Sequence, residues 1–378
     1  MLLVFLAVVL FIIGTTLSRR LDVSISLAAG AVAYGVAAFG PGVLAATAAA
    51  FNTSMAYVLT SLIFAMALGF LLREQKTRIA SGLSALGARA AAFAIPAAIG
   101  LLPMPGGAYI SAVVVDPLYD KMGLKSHQKT FLNYWMRHIW IPVWPLFQGV
   151  LITAAILGVS VWQVVEWAWP GALFAVAAGV AVAASLVKPV PVAGDPRDLT
   201  ALWPLAAVAV LSFLVPLPLA VAAVYLAYAV VNKVGRDQLA ASLKYALNPR
   251  ILAIIVLSLV FAQYIKESGL GAQLAQVLGP YSGLAVFLIP FAVGVATGVE
   301  FTFAGLAFPP ISSLIHGPAL ALAFAGGFLG VMLSPAHSCF VLTREYYRAD
   351  VGQVYRLLAK AAAAVVALSA AYYVLIFF

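Results

Sequence analysis

Residues 90–118 read AAAFAIPAAIGLLPMPGGAYISAVVVDPL, and residues 282–314 read SGLAVFLIPFAVGVATGVEFTFAGLAFPPISSL. Both stretches are apolar enough to enter a bilayer. Both are interrupted at the centre, the first by Leu102-Pro103-Met104-Pro105-Gly106-Gly107 and the second by Ala296-Thr297-Gly298-Val299-Glu300. Such an interruption frees backbone N–H and C=O groups at a depth where lipid offers no partner. It is tolerated only where protein, water or a ligand takes up those bonds. Whether the two stretches cross the membrane or turn back within it decides the topology.

The rest of the chain sets the frame. Of 378 residues, 65% are hydrophobic and 9% are charged, whereas a soluble domain carries about 25% charged residues. The solvent is therefore lipid, and at about 20 residues per span the length admits at most about a dozen helices. No P-loop, dinucleotide fingerprint or nucleic-acid module occurs, which argues against a primary ATP-driven pump built from this chain alone, and no nucleic-acid partner is expected. Cys339, the single cysteine, allows neither a disulfide framework nor a CxxC metal site. The four histidines show no metal-ligand spacing, so no metal site or cofactor is expected.

Ten ordinary helices are read around the two stretches: 1–18, 21–39, 51–72, 130–157 with Pro142 and Pro145 inside, 161–187, 201–215, 217–231, 251–265, 318–343 broken at Ser334-Pro335, and 357–378. The first lacks a basic leader and is read as a retained span. If each helix crosses once and both interrupted stretches return to their own side, every one of the 21 basic residues except Lys266 and Arg137 lies on one face. A full crossing by either stretch inverts everything downstream and scatters the charges. The positive-inside rule thus predicts two re-entrant hairpins, with both chain termini outside a cell membrane.

Residues 1–192 and 193–378 then each read as three helices, a hairpin, a broken helix and a final helix. Five crossings per half invert the second half relative to the first. Phe93-Ala94-Ile95-Pro96 aligns with Phe287-Leu288-Ile289-Pro290. The segment from Pro145 through Gln148 to Thr153 aligns ungapped with that from Pro335 through Ser338 to Thr343. Inverted repeats with discontinuous helices mark secondary transporters that bind substrate near the midplane. The predicted fold class is an all-α polytopic membrane protein with an inverted repeat, about ten transmembrane helices, two re-entrant hairpins and two broken helices.

Candidate site residues sit at the interruptions. Glu300 is an acid at a tip, where charge is costly and a role in ion coupling is the default. Thr297 and Ser334 are further ion-coupling candidates, and Na⁺ or H⁺ is the coupling ion. Arg137 suits a carboxylate substrate, although its proximity to Lys129 also fits snorkelling to the interface. Pro105, Gly106, Gly107, Asn133, His138, Gln148, Gly298, His337 and Ser338 complete the substrate-binding set with Thr297. Pro145 and Pro335 break the helices. Asp116 and Asp120 are expected to pair locally with the nearby lysines, and most tryptophans to mark interfaces.

The motifs Leu102-Pro103-Met104-Pro105-Gly106-Gly107-Ala108, Asn133-Tyr134-Trp135-Met136-Arg137-His138-Ile139 with Trp144-Pro145, and Gly330-Val331-Met332-Leu333-Ser334-Pro335-Ala336-His337 resemble an uncharacterised prokaryotic integral-membrane family. That family is placed in the ion transporter superfamily beside gluconate, lactate, citrate and dicarboxylate permeases. The resemblance implies an elevator-type carrier, usually a homodimer, that moves a small organic anion with Na⁺ or H⁺. The Ser-Asn-Thr tip motif of the dicarboxylate carriers is absent here, which argues against a dicarboxylate and a Na⁺ site of that kind. The expected function is secondary active transport. A channel is the main alternative, and an intramembrane enzyme the weaker one.

Overall fold

The computed structural model describes residues 1–18, 20–102 and 106–377. Among them the chain is all helix and turn. The helices are α1 (Leu2–Leu17), α2 (Val23–Phe39), α3 (Val43–Ala50), α4 (Thr53–Leu72), α5 (Lys76–Ser84), α6 (Ala88–Gly100), α7 (Gly107–Lys121), α8 (Ser126–His138), α9 (Gln148–Leu157), α10 (Val161–Ala183), α11 (Trp203–Leu214), α12 (Leu217–Val231), α13 (Arg236–Ala246), α14 (Pro249–Glu267), α15 (Leu270–Leu278), α16 (Ser282–Thr297), α17 (Ala319–Leu333), α18 (Ser338–Tyr347) and α19 (Val351–Phe377). Seven helical stretches among the described residues are long and apolar enough to cross a membrane, or eight if the bent pair α17–α18 counts as one. Large apolar side chains such as Leu3, Leu10, Phe213, Leu226 and Leu375 are exposed, as a lipid solvent requires. The protein is a multi-pass membrane protein.

That count is lower than the ten spans read from the sequence, for identifiable reasons. The helices at 2–17 and 217–231 are apolar but short. The stretch 130–157 is two short helices, not one. Conversely, Leu270–Thr297 is long enough to span, because the amphipathic α15 runs nearly into α16. The basic loop predicted at 233–250 contains a further amphipathic helix, α13. Trp135, expected near an interface, is fully buried, with Nε1 donating to the Ala175 carbonyl at 2.8 Å.

Both interrupted stretches fold back on themselves. α6 packs on α7, and α16 packs on the residues that follow its tip. At 13 residues and about 1.5 Å per residue, α6 is far shorter than the roughly 30 Å hydrocarbon core. The returning limb of the second hairpin is not an α-helix. It is a π-helix, Phe303–Ala307, followed by a 3₁₀ segment, Pro309–Leu314. Pro309 and Pro310 lack the N–H groups that an α-helix would need there.

The two breaks differ in length. α17 stops at Leu333 because Ser334, which precedes Pro335, is extended at φ −71°, ψ 125°; a residue before proline avoids the helical region. α8 stops at His138, well before Pro145. Pro142 is responsible: its ring would clash with the carbonyl four residues earlier, that of His138. Both chains rewind into helices of ten residues, α9 and α18.

Packing does not follow the halves 1–192 and 193–378. α10 lies on α17 and α19, and α8 lies on α18 and α19; α4 lies on α12 and α13, and α14 on α2 and α3. Most contacts therefore fall into two intertwined groups, α1–α4 with α11–α14, and α6–α10 with α16–α19. The polar segment after α10 is pressed onto α5. A Cβ on Gly82 would lie 2.8 Å from the Asp198 carbonyl carbon, and Arg78 pairs with Asp198 at 3.1 Å.

Every residue of α17 except Leu333 is buried. Its closest neighbour is α16, and the two backbones touch. Cβ atoms on Gly326 and Gly330 would collide with the carbonyl oxygens of Phe287 and Phe291, and one on Gly294 would lie 2.8 Å from the Gly327 carbonyl oxygen. Small residues four apart permit this approach in lipid, and it fixes the second hairpin against the second break. Gly330→Val is expected to destabilise the protein by ~3 kcal/mol through overpacking. Its thermal-unfolding midpoint in detergent should fall, while Gly14→Val, whose Cβ meets nothing within 4 Å, should leave the midpoint near wild type.

Candidate functional site

Six helix ends meet at one cavity of about 810 Å³. Its wall includes Gly100 at the end of α6, Gly106 at the start of α7, and Arg137 and His138 at the end of α8. Phe147 and Gln148 belong to the start of α9, Thr297 and Gly298 to the end of α16, and His337 and Ser338 to the start of α18. Gly106 and Gly298 turn the two tips at φ +78° and +61°, where a side chain is strained. Gly298 has a second constraint, since a Cβ there would sit 2.8 Å from the backbone nitrogen of His337.

Among the described residues, the starts of α7, α9 and α18 carry no side-chain cap. Their first N–H groups are available to a ligand, and the helix dipoles favour an anion there. Arg137 adds a full charge. It is 5% exposed, its Nη1 donates to the Ile99 carbonyl at 2.9 Å, and its guanidinium lies where a side chain on Gly107 would otherwise stand. Among the described residues no carboxylate lies within ion-pair distance of it. Arg137 therefore lines the cavity, with its guanidinium held inside the protein.

Gln148 is 6% exposed, and its Oε1 has no hydrogen-bond partner among the described residues. Glu300 also lines the cavity, with His337 and Arg137 as its electrostatic neighbours. Its carboxylate makes no hydrogen bond among the described residues. Thr297 donates to the Val293 carbonyl at 2.9 Å and lies 2.5 Å from the Thr302 hydroxyl.

His138 and His337 face each other with their Nε2 atoms 3.2 Å apart. Each Nδ1 is held by a carbonyl at 2.6 Å, that of Tyr134 for His138 and that of Gly298 for His337. Cys339, one residue into α18, also lines the cavity.

Several sequence candidates lie off the wall. Asn133 is fully buried, where its Nδ2 donates to the Ala108 carbonyl at 3.0 Å and joins α8 to the first hairpin. Ser334 is equally buried; its Oγ donates to the Val295 carbonyl at 2.7 Å and accepts from the Ala336 N–H. It closes the break and ties it to α16. Gly107 abuts Arg137 from behind, and Pro145 and Pro335 shape the breaks without lining the cavity. Pro105 lies outside the described residues. Asp116 and Asp120 pair with Lys129 at 2.6 and 2.5 Å, away from the cavity.

The cavity reaches the surface beside Arg20, Asp22 and Arg250, and Asp22 pairs with Arg250 there. Behind Glu300, Phe303, Phe308 and Phe324 form a fully buried edge-to-face cluster with centroids 5.4–5.8 Å apart. A second cavity of about 490 Å³ lies at the opposite ends of α9 and α14, beside Leu157, Lys266 and His316.

A family model covers residues 1–376. The chain belongs to that family, described as a protein of unknown function (DUF401). No curated protein matches it. The resemblance read from the tip and break motifs therefore holds at the level of this membrane family.

Sequence reading left Cys339 and Thr302 out of the site. Cys339 stands in the aligned segment after Pro335, but its proximity to His138 depends on a contact across 199 residues, the separation of the two histidines. Thr302 follows the tip by two residues, and only the fold shows that its hydroxyl meets Thr297.

Proposed function

We propose that this protein is a secondary active transporter of a small organic anion, a carboxylate by preference, coupled to H⁺ or Na⁺. The observation that carries the reading is the meeting of three helix starts with the guanidinium of Arg137, which has no carboxylate partner among the described residues, in one cavity. Those groups offer a planar bidentate donor and converging N–H groups, which together match a carboxylate. The ends of α6, α8 and α16 bring carbonyl groups and the Glu300 carboxylate to the same space, a setting for a cation or a proton. A single site that holds both favours coupled movement.

The packing supports alternating access. The hairpins, the broken helices, α10 and α19 form one group, and α1–α4 with α11–α14 form the other. Displacement of the first against the second would carry the cavity from the side of Arg20 and Arg250 towards the side of Lys266, as in an elevator. The basic residues beside the present opening favour the cytoplasmic side for it by the positive-inside rule.

The test is a thermal-shift screen of the purified protein with acetate, lactate, gluconate, citrate and succinate, with and without Na⁺ and across pH. A ligand of the folded state at 100 times its Kd adds about 2.7 kcal/mol of stability. Stabilisation by at least one of these anions, strengthened by Na⁺ or by acid, is expected. Stabilisation by none of them, or accumulation in proteoliposomes that ignores both ion gradients, would overturn the reading.

A further inference from the structure

The geometry at the junction of α8 and α18 points to a second use of this cavity. We propose that His138, His337 and Cys339 form a three-ligand site for a zinc-class divalent ion, with its fourth position open to the cavity.

The hydrogen bonds fix the ring states. A carbonyl oxygen only accepts, so the Nδ1 of each histidine carries the hydrogen that the Tyr134 or Gly298 carbonyl receives. In a neutral ring the Nε2 then presents a lone pair. The two Nε2 atoms are 3.2 Å apart, and two lone pairs at that distance repel unless a proton or a cation lies between them. A metal ion resolves the conflict without charging either ring. The Nδ1–H to carbonyl contact is also the outer hydrogen bond that ligating histidines generally make, which orients the ring and raises its basicity.

The spacing of the two histidines fits tetrahedral coordination. With Zn–N bonds of about 2.0–2.1 Å, two nitrogen ligands stand about 3.3 Å apart. The 3.2 Å separation therefore needs almost no adjustment. The third donor is the Cys339 sulfur, and all three donor atoms lie within 4.8 Å of one another. The thiol lies beside the two rings, so an incoming ion would release its proton to solvent and bind the thiolate. All three residues line the cavity, which leaves the remaining coordination position facing open space, as in sites where zinc keeps an exchangeable ligand.

The site joins the end of α8 to the start of α18, the two broken elements of the pseudo-repeat. A bound ion would clamp them together and present a Lewis acid to any carboxylate in the cavity. Metal binding requires no transport, so this inference stands or falls independently of the carrier reading.

Cobalt(II) reports ligand type and geometry directly. Full-length protein, purified in detergent with chelator removed and thiols kept reduced, is titrated with cobalt(II) and then with zinc(II). One cobalt per chain is expected, with intense tetrahedral ligand-field bands and a thiolate-to-cobalt charge-transfer band, both lost on zinc addition. Cys339 is the sole cysteine, so the charge-transfer band has one possible origin. Cys339→Ser should abolish that band, and His337→Asn should weaken zinc binding by at least about tenfold. Should His337→Asn fail to fold, the wild-type spectrum and Cys339→Ser still decide. Absence of stoichiometric cobalt binding, octahedral bands without charge transfer, or binding indifferent to Cys339→Ser would overturn the proposal.

Discussion

Arg137→Ala should raise the Kd for the stabilising anion by about 100-fold, equivalent to ~2.7 kcal/mol. The guanidinium is buried, it spends one N–H on the Ile99 carbonyl, and no carboxylate among the described residues competes for the rest. A substrate carboxylate would therefore meet a desolvated, oriented donor, and hydrogen bonds to charged groups are the strongest of their class. Arg137→Lys should recover little, because an ammonium lacks the planar fork. Gly107 shares this role. A side chain there would stand in the space of the guanidinium, so Gly107→Val should weaken binding without touching a ligand contact. Isothermal titration with the anion from the thermal-shift screen measures all three. An unchanged Kd for Arg137→Ala in a folded protein would remove Arg137 from the site.

Much of the architecture was readable because lipid imposes simple rules. Apolar runs bounded by charge mark the helices, and the positive-inside rule applied to lysine and arginine leads to the expectation that two stretches turn back. Proline and glycine then marked where backbone groups would be left unpaired. The tips at Gly106 and Gly298 and the starts of α9 and α18 do line one cavity. What was not readable depended on distance or on local competition. α8 ends at His138 because Pro142 acts on the carbonyl four residues before it, whereas the sequence alone points to Pro145 as the break. Asn133 and Ser334 read as binding groups because polar side chains are rare in lipid, yet Ser334 spends its hydroxyl on the Val295 carbonyl and the Ala336 N–H, and the Asn133 amide nitrogen ties α8 to the first hairpin off the cavity wall. Amphipathic α5, α13 and α15 are too short and too polar to stand out from the loops around the spans. The facing histidines are invisible in the sequence, since no spacing rule links positions on opposite halves of the chain.

Glu300→Gln should abolish concentrative uptake in proteoliposomes while sparing exchange of substrate for substrate. Glu300 is the only acidic residue at either tip, and it lines the cavity with His337 and Arg137 as its electrostatic neighbours. In an ion-coupled carrier one state binds the coupling cation or proton together with the substrate, and the other releases both. A glutamine keeps the volume and an acceptor oxygen but cannot change charge. The carrier would then behave as though permanently loaded with a proton, or would lose an anionic ligand for Na⁺. In either case the gradient no longer drives uptake. The loss should be essentially complete for accumulation, whereas exchange down equal and opposite substrate gradients should continue at a measurable rate. The two assays also separate coupling from folding, since a misfolded protein loses both. Wild-type accumulation by Glu300→Gln, with unchanged dependence on pH and Na⁺, would show that the coupling group lies elsewhere. Thr297 and Thr302 beside the same tip would then be the next groups to test, because their hydroxyls meet at 2.5 Å beneath the turn at Gly298.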